Sequence, residues 1–64
     1  MSKSYSVKLL RLPEVEARTG TKKSFIYQEI KDGRFPAPVE LGKRARAWRS
    51  DEVQAWIDNR PRAM

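Results

Sequence analysis

Neither cysteine nor histidine occurs anywhere in the chain. Without cysteine there is no disulfide and no thiolate metal site; without histidine the most common metal ligand and the most common general base are both missing. The carboxylates Glu14, Glu16, Glu29 and Asp32 read as separate helix-surface charges with no paired base or ligand, so enzymatic chemistry and a cofactor are not expected. No stretch approaches the roughly 20 consecutive apolar residues that span a bilayer, no basic amphipathic helix suits a membrane surface, and no apolar run of signal-peptide type follows Met1–Ser6. The expectation is a soluble, cytoplasmic protein. Internal repeats, low-complexity tracts and heptads long enough for a dimerising coiled coil are likewise absent.

What is present is positive charge on a small body. The 64 residues carry 14 Lys and Arg against 8 Asp and Glu, a net charge of +6. That length permits one domain, here 1–64 with an ordered core over about 7–60. A domain of this size buries only roughly 60% of its unfolded surface, so a few large side chains must supply the core. Phe25, Phe35, Trp48 and Trp56 are the candidates, with Ile26, Ile30, Leu41, Val53 and Ile57 around them. The charge points to a polyanionic partner, nucleic acid or an acidic protein.

Residues Met1–Ser6 read as a loose polar start, and Val7–Leu10 as a short strand or an extended arm packed on the body. Leu12-Pro13-Glu14-Val15 starts a helix, since proline suits a first turn whose N–H groups have no partner and Glu14 favours the positive end of the helix dipole. Gly20 stops that helix. A second helix is expected to be capped by Thr21 and ended by Gly33 in the left-handed conformation. Its Ile26 and Ile30 share one face with Phe25 beside them, while Lys23, Tyr27, Gln28 and Lys31 fall on the flanks and the opposite side. Two helices joined by a tight turn around Gly20 form a helix-turn-helix pattern.

Pro36 and Pro38 make the next segment a rigid elbow, with Phe35 plugged into the core. Val39-Glu40-Leu41 and Arg46–Arg49 alternate as the arms of a β-hairpin turning at Gly42–Ala45, with Val39, Leu41 and Trp48 on the covered side. Ser50 is placed to cap a last helix, with Asp51 and Glu52 in its first turn, Val53, Trp56 and Ile57 on its apolar face, and an end before Pro61. The predicted fold is a small α+β domain, helix-helix-hairpin-helix, of winged helix-turn-helix type.

Two cationic elements flank the second helix. At its start and on its polar side lie Lys22, Lys23, Ser24, Tyr27, Gln28 and Lys31. At the hairpin lie Lys43, Arg44, Arg46 and Arg49, four cations within Gly42–Arg49 and no acid. A basic turn alone is more often a solvated surface, and Gln28 alone is an ordinary helix residue. Together they match a helix entering the DNA major groove and a wing on the phosphate backbone or in the minor groove. Gln28 could pair with adenine and Lys31 donate to guanine.

The run Leu10-Arg11-Leu12-Pro13-Glu14-Val15, with Arg18-Thr19-Gly20, Ile26-Tyr27, Ile30-Lys31, Gly33-Arg34-Phe35-Pro36, Pro38-Val39, Leu41-Gly42, Arg44-Ala45, Trp48-Arg49, Glu52-Val53 and Ala55-Trp56, resembles the AlpA family of phage and prophage regulators. The resemblance covers about residues 8 to 60. It implies a fold like that of excisionases and MerR-type DNA-binding domains, with Lys22, Lys23, Ser24, Tyr27 and Gln28 toward the major groove and Lys43, Arg44 and Arg46 on the wing. It also implies a nucleoid-associated bacterial protein that binds double-stranded DNA. Such a protein either regulates a promoter, with RNA polymerase as a possible contact, or directs an integrase as an excisionase-like factor that bends or bridges DNA. From another class, a basic module against an acidic protein fits the same charge. One module reads few bases, so self-association on DNA is expected. Three departures from the family pattern stand out: Glu16 stands where an apolar residue is usual, Thr21-Lys22 where Leu-Ser is usual, and Phe25 where a small Thr is usual. Phe25 is expected to fill the space that Glu16 and Thr21 leave between the two helices.

Overall fold

A computed structural model describes residues 7–63, so the expectation for Met1–Ser6 lies outside the described residues. The elements, in chain order, are β1 (Leu9–Leu10), α1 (Leu12–Thr19), α2 (Lys23–Lys31), β2 (Val39–Glu40), β3 (Arg46–Arg49) and α3 (Ser50–Asp58). It is a small α+β fold in which helices pack on a three-stranded antiparallel sheet of order β1-β3-β2. The segment read as strand or arm is a strand. Leu9 pairs with Arg49 and Leu10 with Trp48, which makes β3 the central strand.

Each element except β2 places a side chain in one buried cluster: Leu10 from β1, Val15 from α1, Ile26 from α2, Phe35 from the elbow, Trp48 from β3 and Val53 from α3. At about 1.5–3 kcal/mol per buried large apolar side chain, these six hold the domain together. Trp48 also donates its indole N–H to the Pro36 carbonyl at 3.0 Å, which fixes the elbow against the central strand. Trp56 edges onto Phe35 with ring centroids 5.0 Å apart.

The ends of α2 show why it stops where it does. Gly33 has φ 76°, the left-handed conformation expected of it. Its N–H donates to the Ile30 carbonyl at 3.0 Å, and the next N–H, of Arg34, donates to the Glu29 carbonyl at 2.8 Å. That pair of bonds is a Schellman closure. An apolar contact usually accompanies it; here Arg34 instead forks onto Glu29, with Nε and Nη2 each 3.1 Å from a carboxylate oxygen.

Several expectations need correction. Lys22, not Thr21, is the N-cap of α2, and no side chain caps it. The Thr21 hydroxyl instead lies 2.7 Å from that of Thr19. Ser50 is the first residue of α3 and Arg49 its N-cap. Ser50 stitches α3 to the residue just before β1: its N–H donates to the Lys8 carbonyl and its Oγ accepts the Lys8 N–H, both at 2.8 Å. Val39 and Leu41 are exposed rather than covered, Leu41 by 45%, because β2 is only two residues long and lies at the sheet edge. Phe25, expected to fill space between the first two helices, is 43% exposed and forms a T-shaped pair with Trp56 of α3, ring centroids 6.4 Å apart. Glu29, read as a surface carboxylate, is only 8% exposed. The fork from Arg34 is what makes that burial tolerable.

Candidate nucleic-acid interface

α1 ends at Gly20, whose φ of 71° and N–H bond to the Glu16 carbonyl (2.8 Å) turn the chain sharply into α2. With Ile26 buried, the α2 side chains of Lys22, Lys23, Ser24, Gln28 and Lys31 are all exposed, and Tyr27 is half-buried. Tyr27 leans edge-on against Trp48, with ring centroids 6.1 Å apart. The aromatic pair therefore joins α2 to the central strand.

The acids of α2 do not leave its surface neutral. Asp32 accepts from Arg34 Nη2 at 3.1 Å and from Gln28 Nε2 at 3.2 Å, and Glu29 is forked by the same Arg34. Those hydrogen bonds, that to Glu29 foremost, hold the Arg34 guanidinium protonated even more firmly than usual. Both carboxylates are thus engaged by a cation beyond the helix end. Lys22, Lys23 and Lys31 are outside the ion pairs found among the described residues.

In the hairpin, Val39 faces Ala47 and Glu40 faces Arg46. The Leu41 N–H donates to the Ala45 carbonyl at 2.8 Å, which leaves Gly42, Lys43 and Arg44 as the tip. Side chains alternate along β3, so Arg46 and Trp48 share one face while Arg49 lies on the other. Arg44 and Arg46 line a concavity of about 340 Å³ together with Arg11, Tyr27 and Trp48. Tyr27 of α2 and two hairpin cations, far apart in sequence, thus meet on one surface.

Arg49 is placed differently. It forks onto Asp51 with bonds of 3.0 and 2.9 Å, at the start of α3. That bond, reinforced by charge attraction, holds the Asp51 carboxyl below the ordinary aspartate range and raises the Arg49 guanidinium. Arg49 is in an ion pair, whereas Lys43, Arg44 and Arg46 are outside the ion pairs found among the described residues, although Glu40 stands opposite Arg46 in the hairpin. Arg11, by contrast, was not singled out from the sequence, where it is merely the residue before a helix. Its carbonyl accepts the N–H groups of Glu14 and Val15, its own N–H is held by the Glu14 carboxylate at 3.2 Å, and its side chain is exposed at the rim of the concavity. Among the described residues no group of three or more acidic side chains could hold a metal ion, and no helix is long and apolar enough to cross a membrane.

Comparison with known proteins bears on these features. Residues 8–61 match the model of the family described as prophage CP4-57 regulatory protein (AlpA). The uncharacterized protein ORF88 of Enterobacteria phage P4 is 43% identical over 53 residues, which are 83% of this chain and 60% of the phage protein. The chain thus corresponds to rather more than half the length of that relative. The DNA-binding transcriptional activator AlpA of Escherichia coli (strain K12) is 30% identical over 66 aligned positions, 94% of each chain. No solved structure matches significantly.

Proposed function

The chain belongs to the AlpA family of prophage regulatory proteins, and from that premise we propose that it is a sequence-specific regulator of transcription that binds double-stranded DNA. In this reading α1 and α2 form a helix-turn-helix and the β2–β3 hairpin is its wing. The observation that carries it is the shared concave surface on which Tyr27 of α2 meets Arg44 and Arg46 of the hairpin. Lys22, Lys23, Ser24, Gln28 and Lys31, at the start of α2 and along it, are exposed and so free to meet DNA in this reading. α2 would enter the major groove, while Lys43, Arg44 and Arg46 would lie along the phosphates, each contact adding a salt-dependent attraction. The name of the Escherichia coli relative, a DNA-binding transcriptional activator, supports the DNA-binding part of this reading.

Gln28 and Lys31 are the base readers in this reading. The bond from Gln28 to Asp32 is exposed and long at 3.2 Å. An adenine edge offering a donor and an acceptor can replace it, since the amide pairs there through two bonds. Asp32 would keep its bond to Arg34. Arg49, engaged by Asp51, would contribute less to DNA than the other hairpin cations. One such module contacts few base pairs, so two or more copies would bind neighbouring half-sites.

The test is selection of the purified chain on a pool of random duplex DNA, at low and at raised salt. The proposal expects an enriched motif that persists as salt rises. Binding that fades with salt and enriches nothing would contradict it, leaving only charge attraction.

A further inference from the structure

The concavity between the β1–α1 junction, α2 and the hairpin is lined by three arginines drawn from separated parts of the chain: Arg11, Arg44 and Arg46. Leu12, Pro13, Tyr27 and Trp48 form the rest of its wall. No acidic residue lines it, and none of the three arginines belongs to the ion pairs of the described residues. The contrast with Arg34 and Arg49 is informative, because both of those are forked onto carboxylates. Glu40 stands opposite Arg46 and Glu14 holds the Arg11 N–H, but neither carboxylate lines the hollow or forms an ion pair with these arginines, so an incoming anion would still find three guanidinium groups facing it. The position of Arg11 is also fixed, since its carbonyl and N–H both take part in the first turn of α1. The hollow, about 340 Å³, has room for a phosphate group and part of its sugar. Guanidinium groups suit such a ligand, offering donors in a planar fork that matches phosphate oxygens, and the Tyr27 hydroxyl can add one more donor.

We propose that this hollow is a seat for one phosphodiester of the DNA backbone, held between Arg11 on one side and Arg44 and Arg46 on the other, with Arg11 as a phosphate-binding residue. The inference rests on the DNA-binding reading above and adds to it a fixed point between α2 and the hairpin. A phosphate held there adds a sequence-blind contact between α2 and the hairpin, so Arg11 contributes affinity without reading a base itself.

The experiment compares wild type, Arg11→Gln and Arg11→Lys on the selected duplex across a range of salt concentrations. Each lost phosphate contact reduces the slope of log affinity against log salt by about 0.9. Arg11→Gln should show part of that reduction, so that a fourfold rise in salt weakens it less than wild type, by a factor of up to about three, while its enriched motif stays the same. Arg11→Lys should recover most of the slope. Neutral methylphosphonates introduced one at a time along the duplex should identify a position that costs Arg11→Gln less affinity than it costs wild type, because Arg44 and Arg46 still face that phosphate in the variant. The backbone bonds of Arg11 survive either substitution, and a thermal melt checks that the variants are folded.

A wild-type slope for Arg11→Gln, with motif selection intact, would overturn the seat while leaving the DNA-binding reading standing. Loss of the motif in Arg11→Gln would also overturn it, making Arg11 a base reader. A wild-type chain that does not bind duplex DNA would overturn both. Inorganic phosphate is the probe for a free-anion site. If it saturated shifts at Arg11 and Tyr27 in NMR spectra while the DNA salt slope ignored Arg11→Gln, the hollow would serve a free phosphate and the backbone proposal would fall.

Discussion

Replacing Gly33 by alanine adds a methyl group at a residue held at φ 76°. No heavy atom outside the neighbouring residues lies within 4 Å of where that methyl would sit. The cost is therefore that of the backbone conformation itself, about 1–2 kcal/mol for an L-residue in the left-handed region. Against it stands the lower entropy of an unfolded alanine, which restores about 0.4–1 kcal/mol. The net destabilisation is about 1 kcal/mol. If the chain instead relaxes out of the left-handed region, it loses the Gly33–Ile30 and Arg34–Glu29 backbone bonds and loosens the fork that covers the nearly buried Glu29. Each such bond contributes about 0.5–1.5 kcal/mol, so that route is no cheaper. A domain of this size has about 3–10 kcal/mol of total stability, and 1 kcal/mol corresponds to a fall of about 4–8 °C in Tm. Gly42→Ala is the control, because Gly42 does not have positive φ and a methyl group there also meets open space. Urea denaturation of both variants should place Gly33→Ala below wild type, with Gly42→Ala equal to it or slightly above. A Gly33→Ala midpoint at or above that of wild type would refute the closure described for α2.

Trp48→Phe removes the indole N–H that the Pro36 carbonyl accepts, together with part of the volume at the centre of the core. The expected loss is about 1–3 kcal/mol, read as a lower urea midpoint at unchanged m. Asp51 has a folded carboxyl held below its unfolded value by Arg49. The unfolded chain therefore binds more protons in that window, and the contribution is full above the unfolded value near about 4 and lost as pH falls through the folded one. The stability difference between wild type and Asp51→Asn should accordingly shrink as denaturation is repeated at pH values falling below about 4. Because both partners are exposed, added salt should shrink it too.

Local chemistry made much of this fold legible. Gly20 and Gly33 end their helices in the left-handed conformation, Pro36 and Pro38 keep the elbow extended, and Val53 lies on the buried face of the last helix. What escaped depended on contacts between distant residues. Val7–Leu10 could be read as strand or arm because its partner, Arg49 and Trp48, is some forty residues away. Ser50 has the composition of a cap, yet Lys8 takes its hydroxyl. Glu29 looks like any helix-surface carboxylate until Arg34 folds back over it past the left-handed Gly33.

The candidate interface divides along the same line. The cations of α2 and of the hairpin tip announce themselves by clustering in sequence, and their side chains are exposed as a binding surface requires. Arg49 belongs to the same cluster in sequence, but strand alternation turns it to the other face and Asp51 engages it. Arg11 has no basic neighbour within the run Leu9–Val15, and only the pairing of β1 with β3 brings it to the hairpin.

The central claim is that α2 reads bases while the hairpin holds phosphates. Its most direct test is duplex selection repeated with a Gln28→Ala/Lys31→Ala double variant beside an Arg44→Gln/Arg46→Gln double variant. The first should keep its salt slope within about one contact of wild type but lose or change the enriched motif, whereas the second should keep the motif with a slope reduced by about 0.9, the one phosphate that both arginines face. An unchanged motif in the Gln28→Ala/Lys31→Ala variant would contradict the assignment of α2 to the groove.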